Sequence, residues 1–463
     1  MKLNRENLAK LNHIEAKHPQ VRIVHIGLGA FHRAHQAWYT ARVDLDQQWG
    51  IIAFTGRSPK AAEEIGAQDG LFTLIVRDSL GDSYQIVDSI VRAEDGNNLS
   101  VFNAAVISPA TAIVTLTITE AGYGLDSDGR IDPANPPAAL ARLAEALELR
   151  RNTNGLGVAI VSCDNMPSNG DLLRVAMRDL FASYGRDALN WLSTQVSFVS
   201  TSIDRITPKT TDEDIEHVFK ATGWADAAPV VTEPFSDWVL QGRFPLGRPQ
   251  WELAGAKFVG EIEPFENRKL WLLNGSHSLL AYLGQLRGHE TVAEAIADVY
   301  CLEQVEKFWN EASNHLTQDG LEIPKYRDAL KSRFENARIA HRLGQIAIDG
   351  STKLRVRIAP VAKAEIAAGR NAAGCALAVA AWVEFAMQNR VLQDSKLDEI
   401  QAALHGEVDE VVVRLVSLVD PVLADQTAFM NLVLDQLDFF RFNQNGNRLP
   451  NNLEGTQIAQ TAN

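Results

Sequence analysis

Between residues 21 and 203, short β-branched runs alternate with stretches of helical period, the pattern of a doubly wound sheet assembled from strand–helix–strand units. Strands are predicted at 21–26, 50–54, 112–119, 157–163 and 196–203. One interruption breaks the alternation: segments 72–76 and 84–91, joined by a loop containing Gly81, read as a hairpin that forms an antiparallel edge. Beyond about Lys257 the period lengthens, and helices are predicted over 292–312, 361–388 and 397–418. The Pro- and Trp-rich stretch from Thr232 to Trp251 reads as the crossing between two domains. The expected fold is α/β, with a Rossmann-like doubly wound sheet over residues 1–256 and a mostly α-helical domain over 257–463. From Asn451 the chain reads as a polar tail.

Composition narrows the function without changing that picture. A 463-residue chain that is 46% hydrophobic is long enough for a substantial core. Its formal net charge of -14 argues against nucleic acid as a partner. Three cysteines, Cys163, Cys301 and Cys375, offer no close pair for a disulfide framework or a structural zinc site. No run approaches the length and apolarity of a membrane span, and the mixed-charge beginning lacks a secretory core. A cytoplasmic protein without a membrane partner is expected.

The first strand runs into Gly27-Leu28-Gly29-Ala30-Phe31-His32, the strand, glycine turn and helix order of a dinucleotide-binding unit. Gly27 permits a tight turn, and Gly29 lets backbone approach a pyrophosphate at the helix start. Ile26, Gly27, Leu28, Gly29, Ala30, Phe31 and His32 are therefore cofactor candidates. The third glycine of the full motif is missing. His32 and His35 have no acidic or cysteine neighbour to complete a metal site, and are expected to pack near the phosphates. The second strand ends without the acidic residue that holds the ribose of NAD, while Arg57, Ser58 and Lys60 can receive a 2'-phosphate. NAD is expected, with NADP left open.

Open parallel sheets bind ligands beyond the carboxyl ends of their strands. Polar clusters follow three strands: Thr117 to Tyr123, including Thr119 and Glu120; Cys163 to Gly170, including Asn165; and Ser202 to Pro208, including Asp204. Each alone fits turn chemistry. Together they mark one functional edge.

The segment Glu266 to Ser278 carries Glu266, Lys269, Asn274 and His277 through an apolar helix. At about 100° per residue these four fall within about 140° of one another. Two readings fit the pattern. One is an ordinary surface pair of Glu266 and Lys269 with a core histidine. The other is a catalytic face, on which burial lowers the affinity of Lys269 for its proton until it can act as a general base. Hydride transfer from an alcohol needs such a base and donors for the developing alkoxide, and Lys269 with Asn165 and Asn274 supplies both without a metal.

The motifs Gly27 to His35, Cys163-Asp164-Asn165 with Asn169-Gly170, Asp204 to Pro208, Glu233-Pro234-Phe235, Lys269 with Asn274 to His277, and Asp349 to Lys353 together resemble the mannitol dehydrogenase family of polyol and uronate dehydrogenases. The resemblance implies Lys269 as general base, Asn165 and Asn274 as oxyanion site, His277 as a substrate-positioning group and Glu266 as proton relay. It also implies substrate contacts from Asp204 and Lys353, no metal, and a monomer. Where mannitol 2-dehydrogenases place an arginine eight residues before the lysine, this chain has Gln345, which resembles the fructuronate reductase pattern. A neutral amide cannot make the forked charged contact of an arginine. Arg355 and Arg357 are available to a uronate carboxylate, or stand in solvent.

The expected activity interconverts a linear polyol and its ketose, with D-mannitol and D-fructose first. Reduction of the keto-uronates fructuronate or tagaturonate to an aldonate is the alternative. The rival from another class is a nucleotide-responsive binding protein without catalysis. The expected partners are a small-molecule sugar alcohol, a ketose or a keto-uronate.

Overall fold

The computed structural model describes residues 1–12, 19–44, 46–56, 58–126, 128–339, 341–388 and 393–444. It divides into two compact units, Met1–Glu266 and Asn267–Asn463.

The first unit is built on strands β1 (Val21–Ile26), β2 (Gly50–Phe54), β5 (Ile90–Glu94), β6 (Ile113–Leu116), β7 (Val158–Ser162), β8 (Val196–Asp204), β10 (Asp237–Gln241) and β11 (Lys257–Phe258). Among the described residues these form one sheet in the order β11-β10-β8-β7-β6-β1-β2-β5. From β5 to β8 the pairs are parallel, and β10 returns antiparallel to β8. Six strands in the spatial order third, second, first, fourth, fifth, sixth define the Rossmann arrangement, with its switch point between β1 and β6. Alternation along each strand fills both faces. Ile23, Ile51, Ala53, Ala159 and Val161 join one core, while Val24, Ile26, Ile52, Phe54, Val158 and Ile160 join the other.

Two sequence expectations are corrected here. The hairpin, β3 (Phe72–Asp78) with β4 (Gly81–Val87), is not an edge of the main sheet. Its β3 pairs in parallel with β9 (Val230–Thr232) in a separate three-stranded sheet, and β5 alone continues to the main edge. The Pro- and Trp-rich stretch is no crossing either, because β9 and β10 are strands of the first unit and Trp238 and Trp251 are fully buried in its core. Accordingly the division falls at Glu266, later than the change of period at residue 257.

The second unit is helical, with Ala373–Met387 at its centre; nearly every residue of that helix is buried, as expected for a sequence apolar on all sides. Each long helix predicted here is divided. Asp298 caps a new helix, Val299–Ser313, by accepting from the amides of Tyr300 and Cys301. Residues 368–372 separate Ala359–Ala367 from Ala373–Met387, and Gly406 lies between Leu397–Ala403 and Val408–Val419. Hydrophobic period alone does not register such caps and breaks. No helix among the described residues is long and apolar enough to cross a membrane.

Candidate active site

In the first unit the glycine turn sits at the switch point. The amides of Gly27 and Leu28 both donate to the Phe54 carbonyl at 2.9 Å. Gly27 has φ +107°, and a Cβ there would collide with the Thr117 carbonyl; only glycine fits both demands. Above Gly29, by contrast, a Cβ would meet nothing nearer than 3.7 Å. This leaves open approach to the start of the helical run from Ala30 to Val43, which suits a pyrophosphate.

Ala30 and Phe31 begin that run, and His32 and His35 are fully buried. His32 stacks on His25 of β1 with ring centroids 3.3 Å apart, and His35 Nε2 lies 3.2 Å from the Asp237 carbonyl. Both rings are packed inside the unit, His32 directly behind the glycine turn. Burial, chiefly, pushes His25 down to about 3 and His32 well below its ordinary value. Arg57 lies outside the described residues. Lys60 is exposed, 3.6 Å from Glu64.

Beyond β6 the backbone is strained. Thr119 has φ +64°, an outlier for a β-branched residue. Buried Asp164 holds this turn. Its carboxylate accepts from Thr119 N at 2.7 Å, Ile118 N at 3.2 Å and the Tyr123 hydroxyl at 2.9 Å. Burial raises its affinity for a proton, and the two amides and the phenol oppose that. Glu120 and Asn165 are exposed, on either side of Asp164 in this strand-end region. Asp204 ends β8, opposite Asp237. Glu266 Oε1 accepts from the amide of Ser168, tying it to the loop that carries Asn165.

In the second unit, Lys269–Gly275 is a π-helical segment followed by helix Ser276–Leu286. This changes the geometry expected for a regular α-helix. Lys269 and Asn274 are half-buried and His277 is buried. The His277 ring lies 5.0 Å from Phe334 and 4.8 Å from His341. Burial first, then the neighbouring His341, Arg333, Arg357 and Lys353, holds His277 well below its ordinary pKa, so it is neutral. Lys353 Nζ donates to the Ile346 carbonyl at 3.0 Å, and burial followed by Arg357 lowers its pKa. Gln345 is exposed on the short helix Leu343–Ile346.

The two arginines left open by sequence both donate to the protein, Arg355 from an exposed position and Arg357 from a half-buried one. Arg355 donates to the carbonyls of Leu418 and Val419. Arg357 donates to the Asn274 carbonyl and to Ser278 Oγ. Among the described residues, His289, Asp298 and Cys301 form the one cluster with metal-ligand spacing, but Asp298 Oδ2 already accepts from Arg287 at 2.6 Å and meets His289 at 3.0 Å. Sequence reasoning missed Asp164 and Arg357 as supporting residues. The spacing of Lys353 and Arg357, four apart on one helix, was the available signal for the second.

A Rossmann sheet with a glycine turn at its switch point, and a helical unit presenting a lysine, a carboxamide and a neutral histidine, define an NAD-dependent dehydrogenase. The particular family follows from direct comparison. Residues 21–253 match the mannitol dehydrogenase Rossmann domain and residues 261–439 the mannitol dehydrogenase C-terminal domain, so the chain belongs to the mannitol dehydrogenase family. It is 35% identical over 387 residues to the D-mannonate oxidoreductase of Escherichia coli (strain K12), covering 79% of each protein. It is 33% identical over 386 residues to the mannitol 2-dehydrogenase of Cereibacter sphaeroides, covering 78% of this chain and 80% of that protein. The solved ternary complex of Pseudomonas fluorescens mannitol 2-dehydrogenase with NAD and D-mannitol is 31% identical, with a TM-score of 0.76 over 96% of this chain and 97% of that one.

Proposed function

We propose that this dehydrogenase interconverts a linear polyol and its ketose, with D-mannitol and D-fructose as the pair, and does so without a metal. The observation that carries the reading is the placement of Lys269, Asn274 and His277 on and just after one π turn. Lys269 takes the hydroxyl proton of the alcohol or returns it to the ketone. The carboxamides of Asn165 and Asn274 donate to the oxygen as it gains negative charge. His277, neutral through burial, hydrogen-bonds a substrate oxygen without adding charge. Glu266 passes the proton outward, and Asp204, Lys353 and Gln345 contact the rest of the chain of hydroxyls. When bound, the nicotinamide accepts or supplies the hydride. Ile26 to His32, Arg57, Thr119 and Glu120 form the cofactor side, and the protein works as a monomer.

A second reading, reduction of a keto-uronate to an aldonate, is favoured by two features. Gln345 stands where a polyol-binding arginine is expected, and the cations Arg333, Lys353 and Arg357 act on His277, which suits an anionic substrate. Turnover with NADH and with NADPH against fructose, fructuronate, tagaturonate and xylulose tests both readings. Fructose as the preferred substrate supports the first, and fructuronate or tagaturonate the second. No turnover of any of the four would overturn both.

A further inference from the structure

A π turn holds one more residue than an α turn, and that extra residue decides which side chains face together. In a continuous α-helix, Asn274 and His277 would lie about 140° and 80° around the axis from Lys269. One inserted residue turns both back by about 100°, to about 40° and -20°, and so gathers the three on one stripe. The chemistry proposed for this unit therefore depends on keeping the π register.

The register also frees carbonyls from the regular ladder, and these need donors. The Leu272 carbonyl accepts from Trp309 Nε1 at 2.9 Å and from Ser276 Oγ at 2.6 Å. The Asn274 carbonyl accepts from Arg357 Nη1 at 3.2 Å, and the same nitrogen donates to Ser278 Oγ at 3.1 Å. Arg357 thus spans the end of the π segment and the first turn of the α-helix that follows. Gly275 lies against the helix Val299–Ser313, where a Cβ would sit 2.6 Å from the Phe308 ring. Burial pushes the Arg357 guanidinium down to about 10, so it remains charged at neutral pH and donates as a cation.

We infer that Arg357 is a positioning residue for the dehydrogenase reaction: by holding the Asn274 carbonyl and Ser278 Oγ, it fixes the π register that aligns Lys269, Asn274 and His277. The inference rests on the proposed catalytic role of Lys269. Its Nη1 is committed to the helix that carries the catalytic groups.

The test compares Arg357→Ala, Arg357→Lys, Trp309→Phe and Lys269→Ala. For each, kcat and KM are measured with the preferred sugar, NADH affinity by fluorescence titration, and folding by thermal melt. Arg357→Ala should lower kcat about 100-fold, with KM and NADH affinity changed less than about threefold. Added guanidinium should restore about tenfold or more of the loss, because it returns the missing donor. Trp309→Phe, which removes a donor from the same turn without touching charge, should lower kcat about threefold to tenfold. A large rise in KM at unchanged kcat in Arg357→Ala would assign the residue to substrate binding and overturn the inference. Should Arg357→Ala not fold, Arg357→Lys and Trp309→Phe decide: wild-type kcat in both overturns it. If Lys269→Ala is inactive while the other variants keep full turnover, this inference alone fails. If Lys269→Ala keeps its turnover, the proposed reaction fails first.

Discussion

The helical run that follows the glycine turn and the one that carries Lys269 share a departure from α geometry and use it in opposite ways. Each contains a π segment, Arg33–Ala37 in the first unit and Lys269–Gly275 in the second. In each, an arginine from a distant part of the chain, buried in the first and half-buried in the second, donates to a π carbonyl. Arg205 donates to Ala34 at 2.6 Å, and Arg357 donates to Asn274. Burial brings both guanidinium groups down to about 10. The side chains differ. Ala34, His35, Gln36 and Ala37 are all buried, whereas Lys269 and Asn274 remain half-exposed. The same backbone device backs the glycine turn with buried side chains in one unit and displays half-exposed polar ones in the other. What a π turn does is decided by the polarity and exposure of the residues it carries.

The largest expected effect separates the two uses directly. Lys269→Ala should lower kcat by about 10²–10⁴, while NADH affinity stays within about twofold. Steady-state turnover and fluorescence titration on the same preparation check this. Parallel loss of both would mean that the second π turn is structural like the first, and the contrast would break.

Two glycine substitutions sharpen the comparison at smaller cost. Gly27→Ala places a Cβ against the Thr117 carbonyl at a positive φ, so it should weaken NADH binding at least about tenfold and destabilise the protein by about 1–3 kcal/mol. Gly275→Ala forces the Phe308 ring to move, an overpacking of about 1–3 kcal/mol. Its loss should appear in kcat, by about tenfold, with NADH affinity retained. Binding titrations and kinetics on both variants should give these opposite profiles. A fall of NADH affinity in Gly275→Ala would mean that the two turns are not separate in function.

The parallel strands, the glycine turn and the Lys269 segment were all legible, because period-two β-branched runs and polar residues inside an apolar helix are direct records of burial. The hairpin shows where that record stops. Its alternation revealed two paired strands but not the partner of β3, since β9 contributes only Val230–Thr232 and lies far along the chain. The π turns were equally hidden. Sequence spacing spreads Lys269, Asn274 and His277 over about 140° of a regular α-helix, and the π-segment carbonyls accept from Trp309 and Arg357, which reach in from other helices. Likewise, nothing local to Thr119 announces a positive φ; Asp164 from the next strand end imposes it.

The smallest expected effect treats the two units alike. Both keep neutral histidines in their interiors, His25 and His32 in the first and His277 in the second, each chiefly through burial. An unfolded chain protonates such a ring near its ordinary value of 6.5, while the folded chain resists until far lower pH. The unfolded state therefore binds more protons as pH falls below 6.5. Stability is fully present above that value and is lost progressively below it, down to about 3 for His25. Each resisting ring contributes up to about 1.4 kcal/mol per pH unit well inside that window, and less near its upper edge. Urea midpoints should hold from pH 7.5 to 7 and decline from 6.5 to 5.5. His25→Gln should flatten part of that decline relative to its own midpoint at pH 7.5. A midpoint unchanged at pH 5.5 would mean that the buried rings accept protons in place, and the interior of the first π turn would then be as open to solvent as the second.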